Sequence, residues 1–207
     1  MDNVFYILDC PAITGNTDGF FKFTKVKPER GKSVECKMCG RRLGALSWKE
    51  PHRAKLIGEK PGDICCGTGD EFLVSDRFRT AWLDSGLTGL EIFRTAAHLS
   101  LPVGVLENDF KYYVARPKYS YVHLDADSSG LVVHSDVGCN TCKVCRRTRL
   151  DRVRIAGDTW DGTHIFYPTG LYGVLLVTED VKRFVEVGDL SNFCFLHQDD
   201  YSEENEY

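Results

Sequence analysis

The sequence contains no long hydrophobic run. No stretch of its 207 residues reaches the ~18 uninterrupted apolar residues that a membrane-spanning helix needs. The first residues, MDNVFYILDCPAITG, have only a short apolar run and no basic region ahead of it, so they do not form a secretory signal. We therefore predict a soluble, cytoplasmic protein with no membrane partner.

The sequence also lacks an excess of positive charge. It has 26 lysines and arginines against 30 acidic residues, which gives a formal net charge of −4 and a pI near 5.9. Proteins that grip phosphate backbones usually have the opposite balance. Nucleic acid is therefore not expected as a partner. The 43% hydrophobic content is enough for a real core, so no metal is needed to rescue a very small fold.

Catalytic motifs are missing as well. The six histidines show no H-E-x-x-H or other paired ligand spacing, and no G-x-S-x-G, Walker loop or dinucleotide fingerprint occurs. The glycine-rich piece CCGTGDE, residues 65–71, lacks the lysine of a phosphate-binding loop and is typical of a turn. A Cys/His nucleophile pair stays open as an alternative, because nothing selects one pair over another. We predict that the protein is not an enzyme.

Cysteine, by contrast, is abundant. In a reducing cytosol, nine cysteines at regular spacing favour metal binding over disulfides. ECKMCGRR contains Cys36 and Cys39, and CKVCRRT contains Cys142 and Cys145. A C-x2-C turn directs two thiolates at one ion, and four thiolates complete the closed tetrahedral shell of a structural zinc site. The spacing predicts a zinc ion that joins two parts of the chain and takes no part in catalysis.

The second cysteine pair has an alternative register. CNTCKVC contains two overlapping C-x2-C spacings, Cys139 with Cys142 and Cys142 with Cys145. We prefer the later pair because CKMC and CKVC share Cys-Lys-apolar-Cys and a following arginine. Replacement of Cys145 by Cys139 in the ligand set remains open.

An internal repeat runs through the chain. FLVSDRFRTAWLDSGLTGLEIF, residues 72–93, and LLVTEDVKRFVEVGDLSNFCF, residues 175–195, show the same order of apolar run, hydroxyl residue, acid, amphipathic segment, glycine and apolar run. Ser75 and Thr178 suit helix N-caps, and the glycine suits a C-terminal stop, Gly86 in the first copy and Gly188 in the second. Each copy predicts strand, capped helix, turn and strand.

The cysteine pairs precede these copies at similar distances. Cys39 lies 36 residues before Ser75, and Cys145 lies 33 residues before Thr178. A chance match is the alternative, since strand-helix-strand units are common. We favour two related halves, residues 1–100 and 101–207. With alternating segments such as FFKFTKV, the sequence predicts an α+β fold of mainly antiparallel strands and few helices, its halves joined by a zinc-ribbon-like site of four cysteines.

The C-terminal segment QDDYSEENEY is acidic and almost free of aliphatic residues, which predicts a solvated tail. An inhibitor of a basic protein gains association rate by presenting negative charge. The candidate partner-binding residues are Asp199, Asp200, Glu203 and Glu204. A tail that only aids solubility is the alternative.

The widely separated C-x2-C pairs, together with GDEFLVSDRFRTAWLDSGLTGLEIF, resemble the double-CXXCG motif proteins. This paralogous family of myxobacterial proteins includes swarm-incompatibility immunity proteins. The resemblance extends over residues 36–195 and implies a cytoplasmic antitoxin that binds and neutralises a cognate toxin delivered from kin cells. The first motif is complete through Gly40, whereas Arg146 stands at the glycine position of the second, where arginine disfavours a positive φ.

A zinc-ribbon module that binds nucleic acid is the alternative function. Its best candidate surface is DFKYYVARPKYSYVHL, residues 109–124, which interleaves basic residues with four tyrosines. The same alternation is typical of an ordinary half-buried strand.

Overall fold

The structure is a computed structural model that describes residues 3–9, 19–102, 110–133, 139, 142, 147–171 and 173–204. Across these residues the chain forms fourteen strands, a short 3-10 helix and two α-helices, α1 (Asp76–Ser85) and α2 (Glu179–Val187). The predicted α+β class, rich in antiparallel strands and poor in helices, is confirmed. Neither of these helices is long and apolar enough to cross a membrane.

Three sheets contain all of these strands. In chain order the strands are β1 (Phe5–Asp9), β2 (Lys22–Lys25), β3 (Arg53–Ile57), β4 (Ile64–Cys65), β5 (Phe72–Ser75), β6 (Leu90–Ala96), β7 (His98–Ser100), β8 (Tyr112–His123), β9 (Val132–Val133), β10 (Arg147–Leu150), β11 (Ile165–Thr169), β12 (Leu176–Thr178), β13 (Cys194–His197) and β14 (Glu203–Glu204). The central sheet has the order β13-β1-β12-β11-β8-β5-β4, and β6 also pairs with β8. Its pairings are antiparallel except for β8 with β11.

Two smaller sheets flank this one. Strands β2, β3 and β7 form the first, with β2 antiparallel and β7 parallel to β3. The second has the order β14-β10-β9 and is antiparallel. Strand β14 comes from the acidic C-terminal segment, so part of that segment belongs to a sheet.

The first strand-helix-strand unit forms as its sequence predicts. The Oγ of Ser75 accepts a hydrogen bond from the backbone N–H of Phe78 at 3.1 Å, and Asp76 lies at the positive end of the helix dipole. Helix α1 ends at Gly86, whose φ of 73° lies in the left-handed region that glycine tolerates best. Both predicted ends of this helix are therefore confirmed.

The second unit has the same elements but different ends. Thr178 has the extended backbone of an N-cap, yet its hydroxyl oxygen has no hydrogen-bond partner among the described residues. Gly188 has a φ of −76°, and the left-handed residue is Asp189, with a φ of 47°. The predicted hydroxyl cap is wrong here. Helix α2 instead depends on packing, because its Val181 and Val185 are buried.

Both units share one sheet topology. Strand β8 lies between β5 and β6 and is antiparallel to each. In the same way, β1 lies between β12 and β13 and is antiparallel to each. In each unit, therefore, the strands before and after the helix are separated by a strand from elsewhere in the chain.

The two helices pack against one another through aromatic side chains. The ring of Phe184 on α2 meets the rings of Phe78 and Trp82 on α1 edge-on, at centroid distances of 5.7 Å in both cases. These rings belong to a core cluster that also contains Val74 and Val177, from the strand that precedes each helix. Apolar burial thus joins the two strand-helix-strand units.

A buried carboxylate ties the same two units together by polar contacts. Asp63 accepts hydrogen bonds from Ser75 Oγ at 2.6 Å and from Arg77 Nε at 3.1 Å, both at the start of α1. It also accepts from the backbone N–H of Ser191 at 2.8 Å and from its hydroxyl at 3.0 Å, beyond the end of α2. Burial alone would raise the pKa of Asp63, but the hydrogen bonds, led by that of Arg77, outweigh it and lower the pKa to about 2.

We predict that Asp63→Asn lowers the free energy of unfolding by about 2 kcal/mol at neutral pH. Because the pKa of Asp63 lies below that of an unfolded chain, this contribution is complete above pH ~4 and is lost as the pH falls through about 2. Urea denaturation across this pH range measures it. Asp84→Asn, at an exposed position on α1, is the matched control. An unchanged stability of Asp63→Asn at pH 7 would contradict the prediction.

Candidate metal centre

The first cysteine pair lies at the tip of an irregular hairpin. Backbone hydrogen bonds join Gly31 N–H to the carbonyl of Ser47 at 2.7 Å and Leu43 N–H to that of Val34 at 2.8 Å. The last bond before the tip runs from the N–H of Cys36 to the carbonyl of Arg41, at 2.8 Å. The hairpin therefore holds Cys36 and the residues after it in one tight turn.

Glycine is needed at one position of this turn. Gly40 donates its N–H to the carbonyl of Cys36 at 2.9 Å and has a φ of 67°. A Cβ added at Gly40 would meet no atom within 4 Å, so space is not the constraint. The positive φ is what favours glycine there, as the C-x-x-C-G pattern requires.

Four thiols from distant parts of the chain meet at this turn. The sulphur atoms of Cys36, Cys39, Cys139 and Cys142 all lie within 4.8 Å of one another. Cys36 Sγ is 3.9 Å from Cys139 Sγ, and Cys39 Sγ is 3.8 Å from Cys142 Sγ. Four sulphurs at ~2.3 Å from a tetrahedral zinc ion would be about 3.8 Å apart. Two of these separations match that value, and the four thiols lie close enough together to hold a metal ion.

Three of the four thiols are shielded from solvent, and the fourth, Cys39, is exposed. Cys36 and Cys142 are buried, Cys139 is partly buried, and Leu43 and Tyr119 pack against them. The pKa of the Cys36 thiol is lowered because its sulphur accepts hydrogen bonds from two backbone N–H groups, that of Cys39, which has the larger effect, and that of Met38. Those bonds stabilise the thiolate, which is the form that binds metal.

Three of the four predicted ligands take part in this cluster: Cys36, Cys39 and Cys142. The fourth thiol is Cys139, the alternative that the overlapping spacing left open. Cys145 lies outside the described residues, so its inclusion in the ligand set stays a prediction.

A signal for Cys139 is present in the sequence. Cys39 lies 36 residues before Ser75, and Cys142 lies 36 residues before Thr178. When Cys142 is taken as the second cysteine of its pair, the two copies of the repeat therefore have equal offsets. The likeness of CKMC to CKVC pointed instead to the later register, in which the offsets differ.

The acidic candidates at the C-terminus are dispersed. Asp199 forms an ion pair with Arg154, and the exposed Asp200 donates its N–H to the carbonyl of His197 at 2.9 Å. Glu203 and Glu204 form β14, which pairs with β10. Gln198 is buried and accepts a hydrogen bond from the N–H of Phe5 at 3.2 Å. The predicted solvation of this tail is wrong for Gln198, which is buried, whereas Asp200 and Ser202 are exposed.

The remaining described cysteines have different states. Cys65 is buried and forms no disulfide, and burial raises the pKa of its thiol, while Cys194 is exposed and also forms no disulfide. Cys66 is disulfide-bonded, contrary to the expectation that a reducing compartment keeps the cysteines as thiols. The four cysteines of the cluster thus form no disulfide and could hold a metal ion, whereas Cys66 forms a disulfide.

A cavity of about 680 Å³ has Asp70 and Glu71 in its wall, together with residues of β1, β4, β5 and β11. Both carboxylates already have partners. Asp70 accepts hydrogen bonds from Tyr119 and from a backbone N–H. Glu71 forms ion pairs with Lys25 Nζ at 2.7 Å and Arg116 Nε at 3.3 Å. Burial has the largest single effect and would raise the pKa of Glu71, but the hydrogen bonds and the two cations together outweigh it and lower the pKa. These contacts join both acids to neighbouring segments of the fold.

The chemistry available at the thiol cluster is therefore metal binding in a closed shell. Four thiols fill a tetrahedral site, which leaves no position for a water molecule or a substrate. No family model matches the chain, and no curated protein matches it either.

Proposed function

We propose that Cys36, Cys39, Cys139 and Cys142 hold one structural zinc ion. The observation that carries this proposal is the mutual approach of four sulphurs to within 4.8 Å, from two C-x2-C pairs about a hundred residues apart. Four soft thiolate ligands in a tetrahedral arrangement favour zinc over the other common metal ions. The ion would supply bonds between the two segments that carry the cysteines and no catalytic step.

We further propose that residues 1–100 and 101–207 are related halves that have exchanged their first strands. In each half a strand is followed by a cysteine pair and later by a strand-helix-strand unit. Strand β1 opens the first half but lies between β12 and β13 of the second. Strand β8, the first described strand of the second half, lies between β5 and β6 of the first. The equal offset of 36 residues from cysteine pair to helix cap supports the same relationship.

The function that fits this architecture best is binding without catalysis. We propose an immunity protein that neutralises a toxin from kin bacteria by forming a complex with it. The closed metal shell has no open ligand position, and the buried carboxylates Asp63 and Glu71 are engaged in ion pairs. The resemblance of the cysteine motifs and the α1 segment to immunity proteins supplies the class of partner.

Co-expression with the toxin encoded by the neighbouring gene should restore growth, and the two proteins should elute together in gel filtration. Cys39→Ser is expected to lose protection as the metal site opens, because a site without one thiolate binds zinc far more weakly. Cys194→Ser, at an exposed free cysteine outside the cluster, is the matched control and should protect fully. Protection without any complex would reject inhibition by binding and favour an enzyme.

A further inference from the structure

The net charge of −4 is the sum of two very unequal parts. Residues 22–60 contain twelve lysines and arginines and four acidic residues, an excess of eight positive charges. The rest of the chain contains fourteen lysines and arginines and twenty-six acidic residues, an excess of twelve negative charges. Residues 22–60 therefore form a basic segment within an acidic chain, and the structure describes this segment completely.

Two strands of this basic segment, β2 and β3, pair with β7 in one sheet. One face of that sheet is packed, because Phe23, Ala54 and Leu56 are almost fully buried in a core cluster. The other face is open to solvent, as the alternation of exposed and buried residues along β2 and β3 shows.

Cationic and hydroxyl side chains cover the open face. Its exposed residues are Lys22, Thr24, Arg53, Lys55, Ile57, His98 and Ser100. The strand register places Lys55 between Thr24 on β2 and Ser100 on β7, and it places Arg53 beside His98. Residues two apart on one strand are about 7 Å apart, so Arg53 and Lys55 form a short positive row. These three strands, all of them described, place no acidic residue on this face.

The three strongest cations of the face have no internal counter-ions. Neither Lys22, Arg53 nor Lys55 forms a salt bridge with any carboxylate among the described residues, although the chain as a whole has more acids than bases. Lys25, on the opposite face of β2, is by contrast paired with Glu71. Adjacent like charges on a sheet repel one another, so an external anion would stabilise this face.

We propose that the open face of the β2-β3-β7 sheet binds the phosphate backbone of nucleic acid. Phosphate oxygens accept hydrogen bonds from Arg, Lys, Ser and Thr, which are the residue types present. A protein partner is a poorer fit, because the centres of protein interfaces are depleted in lysine and are built on aromatic anchors, and the three strands present neither Tyr, Trp nor Phe on this face. Binding without base stacking or groove contacts would not depend on sequence. This inference goes beyond toxin neutralisation and requires no metal.

The test uses the full chain, a fluorescein-labelled DNA duplex of about 20 base pairs, and fluorescence anisotropy between about 50 and 300 mM salt. The combined variant Lys22→Gln, Arg53→Gln, Lys55→Gln should bind at least about tenfold more weakly at low salt, and its log–log salt slope should be shallower by about 2 to 3. The variant Arg94→Gln, Arg152→Gln, Arg183→Gln removes the same number of charges from exposed positions outside this face and outside residues 109–124, and it should leave the slope unchanged.

Three results decide the matter. Retained binding in Lys22→Arg, Arg53→Lys, Lys55→Arg would support recognition by charge at this face. An equal loss in the control variant would overturn the proposal, because binding would then follow the total charge. Binding of poly-glutamate with no binding of DNA or RNA would also overturn it and would assign the face to an acidic protein. Circular dichroism melts establish that each variant is folded before these comparisons.

Discussion

A Cys139→Ser variant should purify without zinc, whereas a Cys145→Ser variant should retain about one zinc ion per chain. The reason is geometric, since Cys139 Sγ lies 3.9 Å from Cys36 Sγ within a complete set of four thiols. Structural zinc sites contribute about 10–16 kcal/mol of binding free energy in small metal-dependent domains. Each 1 kcal/mol of stability corresponds to about 2–4 °C in the Tm of a chain of this size. Loss of the metal is therefore expected to lower the Tm by about 20 °C or more.

Elemental analysis and thermal melts of the two variants measure this effect, with Cys194→Ser as a control for the loss of a thiol outside the cluster. A chelator should lower the Tm of the unaltered chain to that of Cys139→Ser and should leave Cys139→Ser itself unchanged. Loss of zinc from Cys145→Ser but not from Cys139→Ser would return the site to the register predicted from CKVC. Zinc retained after the loss of both Cys36 and Cys39 would show that the zinc is bound elsewhere and would reject the proposed site.

The halves 1–100 and 101–207, expressed separately, should each lack a cooperative unfolding transition, whereas co-expression should yield a folded, zinc-binding complex. Without β8, strands β5 and β6 have lost the partner that lies between them, and the same is true of β12 and β13 without β1. Unpaired strand edges and an exposed apolar core cannot offset the entropy of ordering the chain.

A fragment of residues 19–123 supplies the matched control. It is only slightly longer than the first half, but it contains β8 together with β5 and β6. We expect this fragment to fold where residues 1–100 do not, as measured by urea denaturation and amide dispersion in NMR spectra. Equal folding of both fragments would contradict the role assigned to strand exchange.

Local signals predicted the elements well where a few neighbouring residues decide the outcome. Ser75 and Gly86 define α1 because the cap and the stop depend only on the adjacent backbone. At Thr178 the same signal failed, since packing of Val181 and Val185 holds α2 without the hydroxyl. Strand pairing was beyond prediction, because β1 and β12 meet across most of the chain and no local pattern records that pairing.

Whole-chain averages were less informative than local ones. A net charge of −4 argued against phosphate binding, yet the residues from Lys22 to Lys60 alone carry an excess of eight positive charges. The same applies to the cysteines, where residue type predicted a metal site and only the spatial grouping identified Cys139 as a member.

The insertion of β1 between β12 and β13 has a consequence for synthesis on the ribosome. Strand β1 ends at Asp9, and its partner β12 begins at Leu176, so about 170 residues must be translated before the two can pair. At ~5–20 residues per second, β1 waits roughly 10 to 30 s with both of its edges unpaired. An apolar strand in that state can pair with a neighbouring nascent chain. We therefore expect the yield of folded protein to depend on the rate of translation and on chaperones that cover the first residues of the chain.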